Sequence, residues 1–222
     1  MMQMHLQTQP SRELVLHYYN QMIQANVSPS AHTYKLLLDA YGTLEPIDLD
    51  AMQKVFDNLC KDRRVDVQGT HWASLIHAYG TIASQPEKAI EIFESIPSHP
   101  ASQSKDIEPV CWEAILGVLA SAKMADRMED YVARMQQQRV RPTAYINNML
   151  IRGYAAVGKL DNSRELFESM QDAVMGKSAA AAYVYVTDAL YRCRGSEQPP
   201  GTTHVVWSIK TIDCGPHRHG LP

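Results

Sequence analysis

The sequence predicts an all-α solenoid of stacked helix-turn-helix units. Three observations carry this. An apolar spacing of 0, 3, 4, 7, which marks one face of an α-helix, recurs along the chain. Landmark aromatic positions repeat at nearly constant intervals: Tyr34 to Trp72 is 38 residues, Trp72 to Trp112 is 40, and Trp112 to Asn147 is 35. Proline-bearing turns at Pro29, Pro109 and Pro142 separate the units. A single helical hairpin cannot bury its apolar face alone, so such units stack on their neighbours to make a continuous core.

The second helix of each unit carries the clearer signature. It appears as Val15, Tyr18, Tyr19 and Met22, and next as Met52, Val55, Phe56 and Leu59. It recurs as Ala89, Ile92, Phe93 and Ile96, as Met128, Tyr131, Val132 and Met135, and as Ser163, Leu166, Phe167 and Met170. The first helices show faces at Tyr34, Leu37, Leu38 and Tyr41; Trp72, Leu75, Ile76 and Tyr79; and Trp112, Ile115, Leu116 and Leu119. The last copy reads Asn147, Leu150, Ile151 and Tyr154. Ala40, Ala78, Val118 and Gly153 precede the final members, and these mostly small residues are expected to let helices approach closely. The period varies because loops vary: "TLEPID" lengthens one unit and "PSHPASQSKDIEP" another. First helices are expected on the concave side of the stack and second helices on the convex side.

Composition bounds the function. The 222 residues are 45% hydrophobic and 20% charged, as in an ordinary globular chain, and the formal net charge of −3 argues against strong non-specific phosphate binding. No run approaches the roughly 18 apolar residues of a membrane span, and the opening "MMQMHLQTQPSRE" has neither a secretory apolar core nor an Arg-rich amphipathic pattern. Cys60, Cys111, Cys193 and Cys214 form no C-x-x-C pair, so neither a disulfide framework nor a zinc ribbon is expected. "MGKS" (Met175–Ser178) lacks the earlier glycine of a phosphate loop, Gln171 standing in its place, and "CGPHRHG" completes no tetrahedral ligand set. Neither His-x-Glu nor C-x-x-C occurs, which removes the deaminase signature. No catalytic residue, cofactor, metal or membrane contact is expected, and the chain is expected to be a monomer.

The "L-I-x-G-Y" run and the "G-K-L-D-x-S-x-x-L-F-E-x-M" second helix, closest at Asn147–Met170, together with the period near 35, resemble the pentatricopeptide repeat (PPR) family in a divergent, fungal or organellar form. The resemblance covers about 11–178 and implies a right-handed superhelical solenoid. It implies a half repeat at 11–30, repeats at about 31–68, 69–108, 109–143 and 144–178, an N-terminal segment 1–10 and an irregular tail 179–222 with one further helix. Starting on a half repeat and ending in an uncapped tail, the chain reads as a fragment or truncated product of a longer protein.

The family binds single-stranded RNA at about one base per repeat. One reader follows the helix landmark, at Lys35, Ala73, Glu113 and Asn148. A second closes the repeat, at Gln68, Glu108, Thr143 and Ser178. A third packs on the base, at His32, Thr70, Val110 and Tyr145. Asn148 is of the type the family favours, whereas Ala73 offers no hydrogen bond and Glu113 repels phosphate. Arg152 is the better groove cation than the turn clusters Lys61, Arg63, Arg64 and Arg139, Arg141. The resemblance thus implies a single-stranded RNA partner and a mitochondrial role in RNA processing, stability or translation. The alternative is a helical scaffold holding a protein or peptide in its concave groove.

Overall fold

The computed structural model describes residues 11–173 except Gln103. All regular structure among them is helical: α1 Arg12–Gln24, α2 Ala31–Thr43, α3 Leu49–Lys61, α4 Gly69–His77, α5 Pro86–Ser95, α6 Pro109–Ser121, α7 Ala125–Gln137, α8 Ala144–Ala156 and α9 Leu160–Ala173. A π-helical turn, Ala78–Ile82, extends α4, and a 3₁₀ turn, Ile96–Ser98, follows α5. The chain divides into two compact units, one ending at Pro142 and the other beginning at Thr143. The expected tail 179–222 lies outside the described residues.

Local chemistry sets the helix starts. Ser11, Ser30 and Asp48 sit before α1, α2 and α3, and their side-chain oxygens accept the amides of Leu14, Thr33 and Ala51 at 3.3, 3.2 and 2.9 Å. Pro86 and Pro109 open α5 and α6, where their fixed φ suits the first turn and no amide is needed. Between the helices of each hairpin one bond recurs. The carbonyls of Tyr41, Tyr79, Leu119 and Tyr154 accept from the amides of Asp48, Gln85, Met124 and Lys159 at 3.0, 2.8, 2.9 and 3.0 Å. The three short turns need a left-handed residue, and it is Ser84, Lys123 or Gly158 at φ 55°, 58° and 80°. In the first hairpin "TLEPID" replaces this turn with a longer loop containing a cis Glu45–Pro46 bond.

In the first unit α2 packs on α4 and α4 on α6, so the first helices form one layer, and each also packs on its own second helix. The apolar faces make the core. Leu38, Met52, Leu59, Ile76, Phe93, Trp112, Ile115, Leu116, Met128 and Met135 are fully enclosed. Ala40, Ala78, Val118 and Gly153 are buried, but the tightest contacts lie two residues later. A Cβ on Gly42 would meet Ala78 Cβ and Met52 Sδ, both at 2.7 Å. One on Gly80 would meet Val118 Cγ2 at 2.4 Å and Ala89 Cβ at 2.9 Å. The corresponding places in later hairpins hold Ala120 and Ala155, also buried. Gly42 and Gly80 let α2 and α4 each touch both the next first helix and their own partner.

Across the second-helix layer, α5 and α7 are joined by two ion pairs of equal offset, Glu87–Arg127 and Glu94–Arg134, at 2.7 and 2.5 Å. Both are solvent-facing, so each contributes at most about 1 kcal/mol; their value is in fixing register. The second unit is the hairpin α8–α9, with Leu150 and Ile151 buried and the enclosed Ser163 Oγ donating to Ile151 O at 3.3 Å.

Candidate nucleic-acid interface

Opposite its core face, each first helix carries an accessible stripe spaced 0, 3, 7. It reads His32, Lys35, Asp39 on α2; Thr70, Ala73, His77 on α4; Val110, Glu113, Gly117 on α6; and Tyr145, Asn148, Arg152 on α8. None of these twelve residues is buried. The sequence reading found the first two members of each stripe and, on α8, the third. It missed Asp39, His77 and Gly117, which the same helical spacing would have revealed.

The four stripes differ in what their polar groups already do. On α2 the Lys35 ammonium pairs with Asp39 Oδ2. The other oxygen of Asp39 accepts from Ser74 Oγ of α4 at 2.7 Å. The cation at the first reader position is therefore internally neutralised, within a chain of polar contacts that crosses the α2–α4 seam. On α8, Tyr145 is 53% exposed and Arg152 is exposed. Asn148 is half-buried, and its Oδ1 is enclosed with no hydrogen-bond partner. An unpaired buried acceptor costs about 1–3 kcal/mol, and an outward turn of this carboxamide toward a donor would break no hydrogen bond at Oδ1.

The repeat-closing positions are largely taken up by the fold. Thr143 is the N-cap of α8, its Oγ1 accepting Ile146 N–H at 3.2 Å. Glu108, a repeat-closing candidate, is engaged within the fold. Its Oε1 accepts the amide of Gly69 at 2.6 Å, a carboxylate at the positive end of α4. The Cys111 thiol donates to the carbonyl of the same Gly69 at 3.4 Å, and burial pushes that thiol up to about 12, which leaves it unreactive. Gln68 is exposed and its backbone amide donates to His71 Nδ1 at 2.9 Å. His32 is exposed. Ser178 lies outside the described residues.

The turn cations behave similarly. Arg64 grips Asp62 at 3.0 Å and reaches Ser28 Oγ at 2.8 Å. The Arg64 guanidinium and amide, with the Tyr34 hydroxyl, hold the Asp62 carboxyl down to about 2. Arg63, Arg139 and Arg141 are exposed. Among the described residues no group of three His, Cys, Asp or Glu side chains is placed to hold a metal, and no helix is long and apolar enough to cross a membrane.

Repeated helical hairpins, layered first helix on first helix and each presenting one accessible stripe, define a helical-repeat protein of the solenoid class. The profile described as "PPR repeat" matches residues 148–173, the hairpin with the polar Tyr145–Arg152 stripe. Over 196 residues, 85% of this chain, the sequence is 30% identical to pentatricopeptide repeat-containing protein 5, mitochondrial, of Schizosaccharomyces pombe. The fold matches the crystal structure of the pentatricopeptide repeat protein PPR10 from maize with a TM-score of 0.58 at 16% identity, covering 87% of this chain and 26% of that one. PPR10 in complex with an 18-nt psaJ RNA element matches with a TM-score of 0.56 at 18% identity, covering 93% and 32%. The chain belongs to the pentatricopeptide repeat family. It spans 15% of the length of the yeast relative.

Proposed function

We propose that this chain binds single-stranded RNA along the stripes of its first helices and acts in mitochondria in RNA processing, stability or translation, by binding and shielding rather than by catalysis. The observation that carries this reading is the α8 stripe: an exposed ring at Tyr145, a carboxamide oxygen without a donor at Asn148, and an exposed guanidinium at Arg152, each about one helical turn from the next. The ring stacks on a base, the carboxamide reads its edge and the guanidinium neutralises a phosphate. Family membership supports the ligand class, as does the RNA-bound state of maize PPR10, and the mitochondrial name of the yeast relative supports the compartment. The reading divides the array into the half repeat 11–30 and repeats at 31–68, 69–108, 109–143 and 144–178. Lys35, Gln68, His32, Thr143 and Ser178 contribute secondary contacts in it. Binding should be weak and salt-dependent, because the first unit offers few uncommitted cations on its stripes. Titration of the purified chain with a single-stranded RNA pool at low salt tests it; absence of any binding there overturns it.

A scaffold for a protein or peptide is the second reading. It is favoured by the neutralised Lys35–Asp39 pair and by Glu113 on the α6 stripe. A direct partner whose association survives ribonuclease would move the assignment to it.

A further inference from the structure

In the first unit, successive hairpins meet over a pair of rings, one from each second helix and one from the first helix that follows. Phe56 with Trp72 and Phe93 with Trp112 meet edge-to-face with centroids 4.6 and 4.9 Å apart, and Tyr19 and Tyr34 hold the corresponding places at the first junction, where both line one cavity. Two of these junctions receive a third ring. At the second, His99 of the long link packs 4.9 Å from Trp72 and 6.1 Å from Phe56. At the third, Tyr131 packs 5.5 Å from Phe93 and 6.4 Å from Trp112. The Tyr131 hydroxyl donates to Glu94, which Arg134 also grips.

At the first junction no described ring stands in the place of Tyr131, and Tyr41 lines the gap from the first helix instead. Aligned on the leading residues Val15, Met52, Ala89 and Met128, the place of Tyr131 is taken by Val55, and the places of Glu94 and Arg134 by Asn20 and Asn58. A half-open cavity of about 220 Å³ remains there, lined by these three residues and by Tyr19, Tyr34 and Tyr41 among others. Pockets for drug-sized ligands run from roughly 300 Å³ upward, so this one suits a single ring.

We propose that this cavity binds a small planar aromatic molecule carrying a hydroxyl, a phenol-class ligand. Its shape follows from the junction where the protein supplies such a group itself. The ring would pack against the tyrosine walls, where the Tyr34 hydroxyl is already committed to Asp62 at 3.2 Å. The ligand hydroxyl would meet Asn20 and Asn58, whose carboxamides both donate and accept. This site is separate from the stripes of the first helices and does not depend on RNA binding.

The probe is p-cresol, which reproduces the tyrosine side chain, titrated into the full chain. The expected result is a saturable rise in Tm, with shifts in the side-chain amide NMR signals of Asn20 and Asn58, and a smaller rise with toluene. Val55→Tyr should raise Tm without ligand and abolish the response to p-cresol. No saturable response in the parent chain, or an undiminished one in Val55→Tyr, overturns the proposal. Should Val55→Tyr fail to fold, the NMR map of the parent chain decides: shifts at Asn20 and Asn58 support the site, and shifts confined elsewhere refute it.

Discussion

His71 Nε2 lies 2.8 Å from the carbonyl oxygen of Ala31, on the neighbouring hairpin. Its Nδ1 accepts the amide of Gln68 at 2.9 Å, so Nδ1 carries no proton and Nε2 is the donor. One fully buried, neutral imidazole thus ties the start of one hairpin to the start of the previous one, 40 residues apart. Protonation would set an N–H against the Gln68 N–H. Burial, helped by Lys35 and opposed by the Ala31 carbonyl and Asp39, pushes the imidazole pKa below its ordinary 6.5.

The folded state therefore binds the His71 proton less readily than the unfolded chain. This contribution to stability is fully present above the ordinary value, and it falls as pH drops below about 6.5 toward the lowered folded value. Urea denaturation at pH 7.5 and pH 5 should show the loss, and His71→Gln, which cannot titrate, should show less of it. An equal loss in both proteins refutes the assignment. His71→Ala should cost about 1–3 kcal/mol at neutral pH, since it leaves two part-buried backbone groups without their partner.

Gly80 is wedged between Val118 and Ala89. Gly80→Ala should destabilise the first unit by about 1–3 kcal/mol, because the added methyl has no room. Val118→Ala should offset part of that cost in the double variant. A thermodynamic cycle by chemical denaturation reads the coupling, and purely additive effects would show that the contact is not what limits this position.

Lys123 holds a left-handed backbone at φ 58° in a turn where the second unit uses Gly158. Lys123→Gly should stabilise the fold by up to about 1 kcal/mol, the gain from relieved backbone strain exceeding the entropy that glycine loses. The converse change, Gly158→Ala, should destabilise by a similar amount: its Cβ would meet nothing within 4 Å, so the cost is conformational. Thermal melts of both variants check the pair.

For RNA binding, Arg152→Ala should weaken affinity uniformly across sequences and reduce the salt slope by about one phosphate contact. Tyr145→Ala should cost about 1–3 kcal/mol as a lost stacking surface. Asn148→Ala should instead weaken binding modestly and relax base preference. Binding curves over a salt series with a small set of RNA sequences separate the three behaviours. Lys35→Ala should have the smallest effect, its ammonium being paired with Asp39.

Most of the architecture was legible because helical periodicity is written locally. The 0, 3, 4, 7 faces of α2, α4, α6 and α7 became core, and small residues fell where helices touch. The stripe on α8 was legible for the same reason, since Tyr145, Asn148 and Arg152 need only a helix to share a face. What was not legible is which polar atoms the fold consumes. Thr143 reads as a repeat-closing contact and is a helix cap. Glu108 reads as a base reader and binds an amide 39 residues back. The bond between Asp39 and Ser74, 35 residues apart, gave no signal until packing brought α2 beside α4.

Sequence alone determined the helices, their amphipathic faces and their repetition, because these depend on residues within a few turns of one another. The tertiary structure decided how the polar groups are shared out. It tied Asp39 to Ser74, buried His71 in one tautomer, and left an unfilled cavity behind Val55 where other junctions hold a ring. Those outcomes depend on atoms some 35–40 residues apart, which meet only when one hairpin is stacked on the next.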